Sequence, residues 1–196
     1  MSYPRTERRL DRIRDVLSRR QNDLTLVLAN IHDPHNVSAI YRSCDAFGVR
    51  RVRLYYTDTA FPALGAKSSA SAKKWIETVR CRDARELELS LRADGCQIIA
   101  TALSDAARPV VDFDLTRPTA IIFGNEHRGV DEELRAMADH EAYIPMQGMV
   151  QSLNVSVAAA VTLFEAWRQR SLAGMYDRPS LPPEEIEALF ASWSEK

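Results

Sequence analysis

Residues 144–161, "IPMQGMVQSLNVSVAAAV", decide how this chain is read. Pro145 closes a short apolar strand, a loop containing Gly148 follows, and Ser152 and Asn154 then open a run of small apolar residues: Val155, Val157, Ala158, Ala159, Ala160 and Val161. Side chains this small let a helix lie close to other backbones. Two polar residues at its start have two explanations. Either caps the helix by accepting a backbone N–H, or both face a ligand. Spacing alone does not separate these.

Upstream of that stretch, apolar runs of strand length alternate with helical periodicity. "LTLVLAN" (24–30) is continuous enough for a strand covered on both faces. A helix follows from Asn36, with Val37, Ile40, Cys44 and Phe47 at helical spacing and Gly48 as its stop. "VRRVRLYY" (49–56), "QIIATAL" (97–103), "TAIIFG" (119–124) and "AYIP" (142–145) read as further strands, with helices near 83–93 and 130–139. Residues 57–74 read as a long loop, uncommon in a compact domain unless functional. Strands alternating with helices predict an α/β fold: a parallel sheet with helices on both faces.

The termini are amphipathic. Leu10, Ile13 and Leu17 form a thin stripe at one end, and Ile186, Leu189, Phe190 and Trp193 form one at the other, after Pro182-Pro183. The expected organisation is a basic helical arm (1–20), an α/β domain (21–172) whose last helix runs to about Leu172, and a C-terminal helical extension (173–196).

Net charge is −1, but it is unevenly spread. Residues 1–20 carry seven arginines against three acids, +4, which leaves −5 on the rest of the chain. A basic arm on an acidic body suits phosphate binding, although a solvated helix face has the same composition. Three widely spaced cysteines without a CxxC pair indicate neither a disulfide framework nor a zinc site. The charged start and the lack of a long apolar segment suggest a soluble, cytoplasmic protein without membrane partners.

An open parallel sheet binds ligands beyond the carboxyl ends of its strands. The loop "GNEHRG" (124–129) stands at one such end, with glycines that permit close backbone approach, yet it is neither a Walker loop nor GxGxxG. His32, His35, His127 and His140 follow no metal-ligand pattern, so no metal is expected.

Taken together, "NVSAIYRSCDAFGV", "IIFGNEHRGV" and "IPMQGMVQSLNVSVAAAV" resemble the three motifs of the SpoU/TrmH branch of the SPOUT methyltransferases, and the resemblance extends over nearly the whole chain. It implies a C-terminal deep trefoil knot holding S-adenosyl-L-methionine, a homodimer, and 2'-O-methylation of a guanosine ribose in the tRNA D-loop. Ribosomal RNA or the anticodon loop is the alternative substrate, and a non-catalytic RNA-binding module the alternative of another class. The resemblance also assigns residues. Arg42 is central to catalysis, as a proton acceptor or as a phosphate clamp stabilising the developing alkoxide; both remain open. Asn36, Glu126, Ser152 and Asn154 complete the catalytic set. Thr101, Leu103, Gly124, Ile144, Met146 and Leu153 contact the cofactor. Arg12 reaches RNA across the dimer, and Arg168 and Arg170 grip tRNA phosphate.

Overall fold

A computed structural model of the chain describes residues 6–58, 60–62 and 72–196. Arg5 of the basic arm, and residues 59 and 63–71 of the expected long loop, lie outside the described residues.

Seven strands form one parallel sheet: β1 (Gln21–Ala29), β2 (Val49–Tyr55), β3 (Glu77–Cys81), β4 (Gln97–Thr101), β5 (Arg108–Pro109), β6 (Thr119–Phe123) and β7 (His140–Tyr143). Their order across the sheet is β3-β2-β1-β6-β4-β7-β5, and every pairing is parallel. Alternation along each strand sends residues to opposite faces. Leu24, Leu26 and Leu28 of β1 join Ile121 and Phe123 of β6 on one face, while Val27 and Ala29 join Ala120 and Ile122 on the other. Both faces are buried, and the helices explain why.

On the first face lie α2 (Pro34–Ala46) and α5 (Val155–Leu172); on the second lie α3 (Ala84–Ala93) and α4 (Glu132–Ala136). α2 begins with a proline, and the Asp33 side chain caps it by accepting the N–H of His35. α5 starts at Val155 with Asn154 as its cap, accepting the N–H of Ser156. Asn36 and Asn154 meet at the starts of α2 and α5, and Phe47 meets Phe164 about ten residues further along each, so the two helices run side by side in the same direction. Ala159 and Ala166, fully buried on α5, allow this close approach.

The expected strands and helices are present, with two additions. β3 and β5 were not anticipated. β3 is an edge strand with only Cys81 fully buried, and β5 is two residues long, so neither carries a continuous apolar run. The terminal segments also belong together: α1 (Glu7–Ser18) packs on α6 (Pro183–Ser194) through Ile13, Leu17 and Trp193, with Trp75 against Trp193. A thin apolar stripe on each helix buries little alone, and the pair buries both.

Arg20 departs from the general expectation for the arm. It is buried, paired with Asp45 and bonded to the carbonyl of Val49, so it ties the arm to the sheet and is not exposed for RNA.

Candidate active site

At the carboxyl ends of β4, β6 and β7 a cavity of about 560 Å³ opens, within the usual range of ~300–1,000 Å³ for small-molecule sites. All six expected cofactor residues, Thr101, Leu103, Gly124, Ile144, Met146 and Leu153, line it. Its floor is apolar core: Ile99, Ile121 and Ala142 from the strands, with Ala158 and Thr162 from α5. Alanine at 158 leaves space that a larger side chain would fill. The small residues of α5 therefore serve two ends, packing against α2 and keeping the cavity open.

The loop 124–129 closes on itself. Asn125 and Gly129 exchange backbone hydrogen bonds, both at 2.9 Å, and a Cβ on Gly124 would stand 2.1 Å from the backbone of Gly129. The requirement for glycine at 124 thus comes from closure of the loop, with approach to a ligand a consequence. Gly129, at φ +74°, turns the chain back.

Glu126 projects from this loop into a ring of donors. Its Oε2 accepts the N–H of His32 at 2.9 Å; its Oε1 accepts the N–H of Asp33 at 3.2 Å and the Asn36 side-chain amide at 2.8 Å. The Asn154 amide then donates to Asn36 Oδ1 at 3.1 Å. Partial burial pushes the Glu126 carboxyl up, but the bonds from Asn36, His32 and Asp33 together outweigh it and hold the group below its ordinary value. It is a fixed carboxylate acceptor at neutral pH.

Four of the five expected catalytic residues are brought together. Asn36, Glu126 and Asn154 form one hydrogen-bonded chain, and Ser152 lines the same cavity as Glu126 and Asn154. Asn154 caps α5 and also lines the cavity, so one side chain meets the helix end and the site together.

Arg42 stands apart. Six residues along α2 place it about 9 Å further along the axis and about 240° round from Asn36. It is exposed, outside the cavity lining, and without a hydrogen bond or ion pair among the described residues. Asp45, three residues further along the helix, is engaged by Arg20.

Among the RNA candidates, Arg12 is exposed and paired with Asp15 at 3.2 Å, and Arg168 is half-exposed and held by Glu165 at 2.8 Å. Arg170 is corrected. It is wholly buried, donating to the carbonyls of Leu115 and Arg117 and to Gln21 and Asp23, so it has no access to a phosphate.

A second network, unforeseen from the sequence, holds the loop in place. Asn30 ends β1 in the left-handed region at φ +49°, sparsely populated by non-glycine residues. Its side chain donates to Asp131 at 2.8 Å and accepts the N–H of Thr57 at 3.0 Å, while its carbonyl accepts from the Asn125 side chain at 2.7 Å. Arg128 pairs with Asp58 and Asp131 over the same junction. An asparagine at the last position of an apolar strand, directly before a ligand loop, was the available signal.

Glu126→Gln tests the acceptor role. A glutamine oxygen cannot accept all three donors, and buried N–H groups left unpaired cost about 1–3 kcal/mol. The His32 and Asp33 donors are at most partly buried, so the variant should lose stability toward the lower end of that range at neutral pH and bind a ligand of the cavity more weakly. Because the folded carboxyl sits below its ordinary 4.5, its contribution is present above that value and lost as pH falls through the folded one. Acid unfolding curves should therefore converge for variant and wild type at low pH; a gap that persists would show that the charge is not what stabilises.

Among the described residues no group of three or more His, Cys, Asp or Glu side chains could hold a metal, and no helix is long and apolar enough to cross a membrane.

A parallel sheet with an apolar cavity at its carboxyl rim, bordered by a glycine loop bearing a pinned carboxylate, defines a small-molecule binding site of the open α/β class. Comparison with known proteins identifies the class further: residues 23–164 match the SpoU rRNA Methylase family, and the chain belongs to it. It is 49% identical over 192 residues to the tRNA (guanosine(18)-2'-O)-methyltransferase of Thermus thermophilus, spanning 98% of both chains. A 23S rRNA (guanosine-2'-O-)-methyltransferase of Vibrio parahaemolyticus is 36% identical over 163 residues, 82% of this chain and 65% of that one. Among solved structures, the Aquifex aeolicus TrmH/SpoU tRNA modifying enzyme superposes with a TM-score of 0.90 at 40% identity, over 96% of this chain and 95% of that one. The SpoU methyltransferase AviRb of Streptomyces viridochromogenes, solved in complex with AdoMet, gives 0.68 at 29% identity over 80% of this chain and 61% of that one.

Proposed function

We propose that this protein methylates the ribose 2'-hydroxyl of a guanosine in the tRNA D-loop, using S-adenosyl-L-methionine. The observation that carries the reading is the chain Asn154–Asn36–Glu126 at the mouth of the apolar cavity, which unites three sequence motifs in one place. The nearly full-length likeness to a tRNA enzyme, terminal helices included, favours tRNA over ribosomal RNA.

The cavity fits the cofactor in chemistry as well as size. Leu103, Met146, Ile144 and Leu153 offer apolar surface to an adenine, and Leu103 is largely exposed at the mouth with nothing of this chain covering it. Thr101 spends its hydroxyl on the carbonyl of Ile122, so its contribution there is its methyl group. When bound, the cofactor supplies an electrophilic methyl group carried on sulfur.

The residues of the chain supply position and charge. Asn36 and Asn154, oriented by Glu126, present amide groups where a ribose would enter, and Ser152 lies beside them. Holding donor and acceptor in line removes much of the entropic cost of the transfer. Arg42, with no hydrogen-bond or ion-pair partner among the described residues, clamps the phosphate next to the target nucleotide and stabilises the oxygen as its proton leaves. A guanidinium stays protonated in proteins, so the clamp role is preferred to that of proton acceptor. Segment 144–154 is the part that the family's trefoil knot would thread.

The protein acts as a homodimer. Val157, Val161, Phe164 and Trp167, spaced three or four residues apart, form an apolar stripe on α5 that is 38–51% exposed, the kind of surface that a second copy would cover. Phe164 also touches Phe47 at the end of α2, so a second copy seated here would lie beside the helix that bears Arg42. Phe164→Glu should give monomers in sedimentation with little change in the thermal midpoint, since the side chain is half exposed, and methyl transfer should fall at least tenfold as a result. A fully dimeric variant would remove the stripe from the interface. Such an enzyme would work in the cytoplasm, on tRNA.

Transfer of labelled methyl from the donor to tRNA, with the product nucleotide mapped, tests the whole reading. Loss of labelling when the D-loop guanosine carries a 2'-deoxyribose is expected. Labelling of ribosomal RNA only, or of no RNA, would overturn it.

A further inference from the structure

Arginines stand at both ends of the β2–β3 sheet edge, and the two ends differ. At the amino end Arg50 pairs with Glu77 and Glu185, and Arg51 with Glu77 and Asp94; Arg53, further along β2 beside Val79, also pairs with Asp94. At the carboxyl end Arg80 and Arg82 are exposed and have no carboxylate partner among the described residues. Asp83, next to them, accepts the N–H of Glu86 as the cap of α3. Residues 1–5, 59 and 63–71 contain no Asp or Glu, so they hold no counter-charge either.

Both free guanidinia lie over one ring. Arg80 is 5.2 Å and Arg82 4.9 Å from the centroid of Phe61. Phe61 rests on Tyr56 at 5.6 Å, and the Tyr56 hydroxyl donates to the carbonyl of Ile31. Ile31 directly precedes the His32 and Asp33 amides that hold Glu126. The ring is thus a platform fixed to the same turn as the carboxylate of the site. Two like charges gathered on one ring repel each other, and an anion between them relieves that repulsion. β3 and β6 are three strand spacings apart, so the pair stands about 14 Å from the cavity along the same rim.

We propose that Arg80, Arg82 and Phe61 form a phosphate-binding rim that holds the RNA backbone a short way from the nucleotide presented to the cavity. The proposal rests on the reading of the protein as a tRNA-modifying enzyme. Phosphate contacts of this kind set position and affinity without reading bases, and each one adds to the salt dependence of binding.

The test is tRNA affinity as a function of salt for the full-length protein, wild type against Arg80→Ala/Arg82→Ala. The alanine pair should bind on the order of tenfold more weakly at low salt, with the slope of log affinity against log salt reduced by roughly one to two. Donor affinity should equal wild type. Arg80→Lys/Arg82→Lys, which keeps the charge, should recover most of the slope, and Arg51→Ala, which removes a paired arginine, should leave it unchanged. Wild-type affinity and slope in the alanine pair would overturn the rim, and so would a lysine pair as weak as the alanine pair. If the wild type methylates an RNA other than tRNA, the reading of function fails, and the rim is judged by the same comparison on that RNA.

Discussion

Arg42→Ala should lower turnover by about 10²–10³-fold, the usual cost of removing one preorganised charge from a transition state, while the thermal midpoint and donor affinity stay at wild-type values. The fold gives Arg42 nothing to do. It is exposed, outside the cavity, and unbonded among the described residues, and the one acid within a helical turn belongs to Arg20. A long cationic side chain left exposed on α2, the helix that also bears Asn36, is available to an incoming RNA phosphate. Arg42→Lys should rescue poorly, because an ammonium does not reproduce the two-pronged grip of a guanidinium on phosphate. Single-turnover transfer, compared with calorimetric donor binding, separates the steps. Turnover near wild type in the alanine variant would take Arg42 out of the reaction.

Arg170→Ala should do the reverse, lowering stability by about 3–5 kcal/mol and leaving the chemistry of any protein that remains folded intact. Its guanidinium is fully buried and joins three parts of the structure: the carbonyls of Leu115 and Arg117 before β6, Gln21 and Asp23 in β1, and α5 itself. Removing it strands Asp23 and two carbonyls together. Asp23 keeps some contact with solvent, which places the expected loss toward the lower end of that range. Chemical denaturation measures it. A loss under about 1 kcal/mol, well short of the cost of a broken buried pair, together with weakened tRNA binding, would return Arg170 to the RNA surface.

The contrast between these two arginines shows where local reading stops. Arg168 and Arg170, two apart in one helix, point about 200° away from each other, so when one faces solvent the other faces the core. Helical phase contained that information, but the polarity of the side chain argued against burial. For Arg42 the nearest acid along the helix is Asp45, and only the packed structure shows Asp45 engaged by the buried Arg20. The strands tell the same story. β1, β2, β4 and β6 were legible because burial on both faces demands runs of apolar residues. β3 was not, since an edge strand satisfies the sheet with backbone bonds and asks little of its side chains.

The apolar runs and helical stripes of this chain were sufficient for the layered α/β architecture and the rim where a ligand would sit, because burial and backbone geometry leave local periodic marks; the six side chains that line the cavity came from the resemblance of its three motifs to a known family. The meeting of Glu126 with Asn36, 90 positions away, and of Asn36 with Asn154, 118 positions away, came from the folded chain alone. So did the pairing of the terminal helices, the strained Asn30 that anchors the loop, and the burial of Arg20 and Arg170. Each depends on which distant group supplies a counter-charge, a donor or an apolar face, and a residue's own neighbours in sequence hold no record of that.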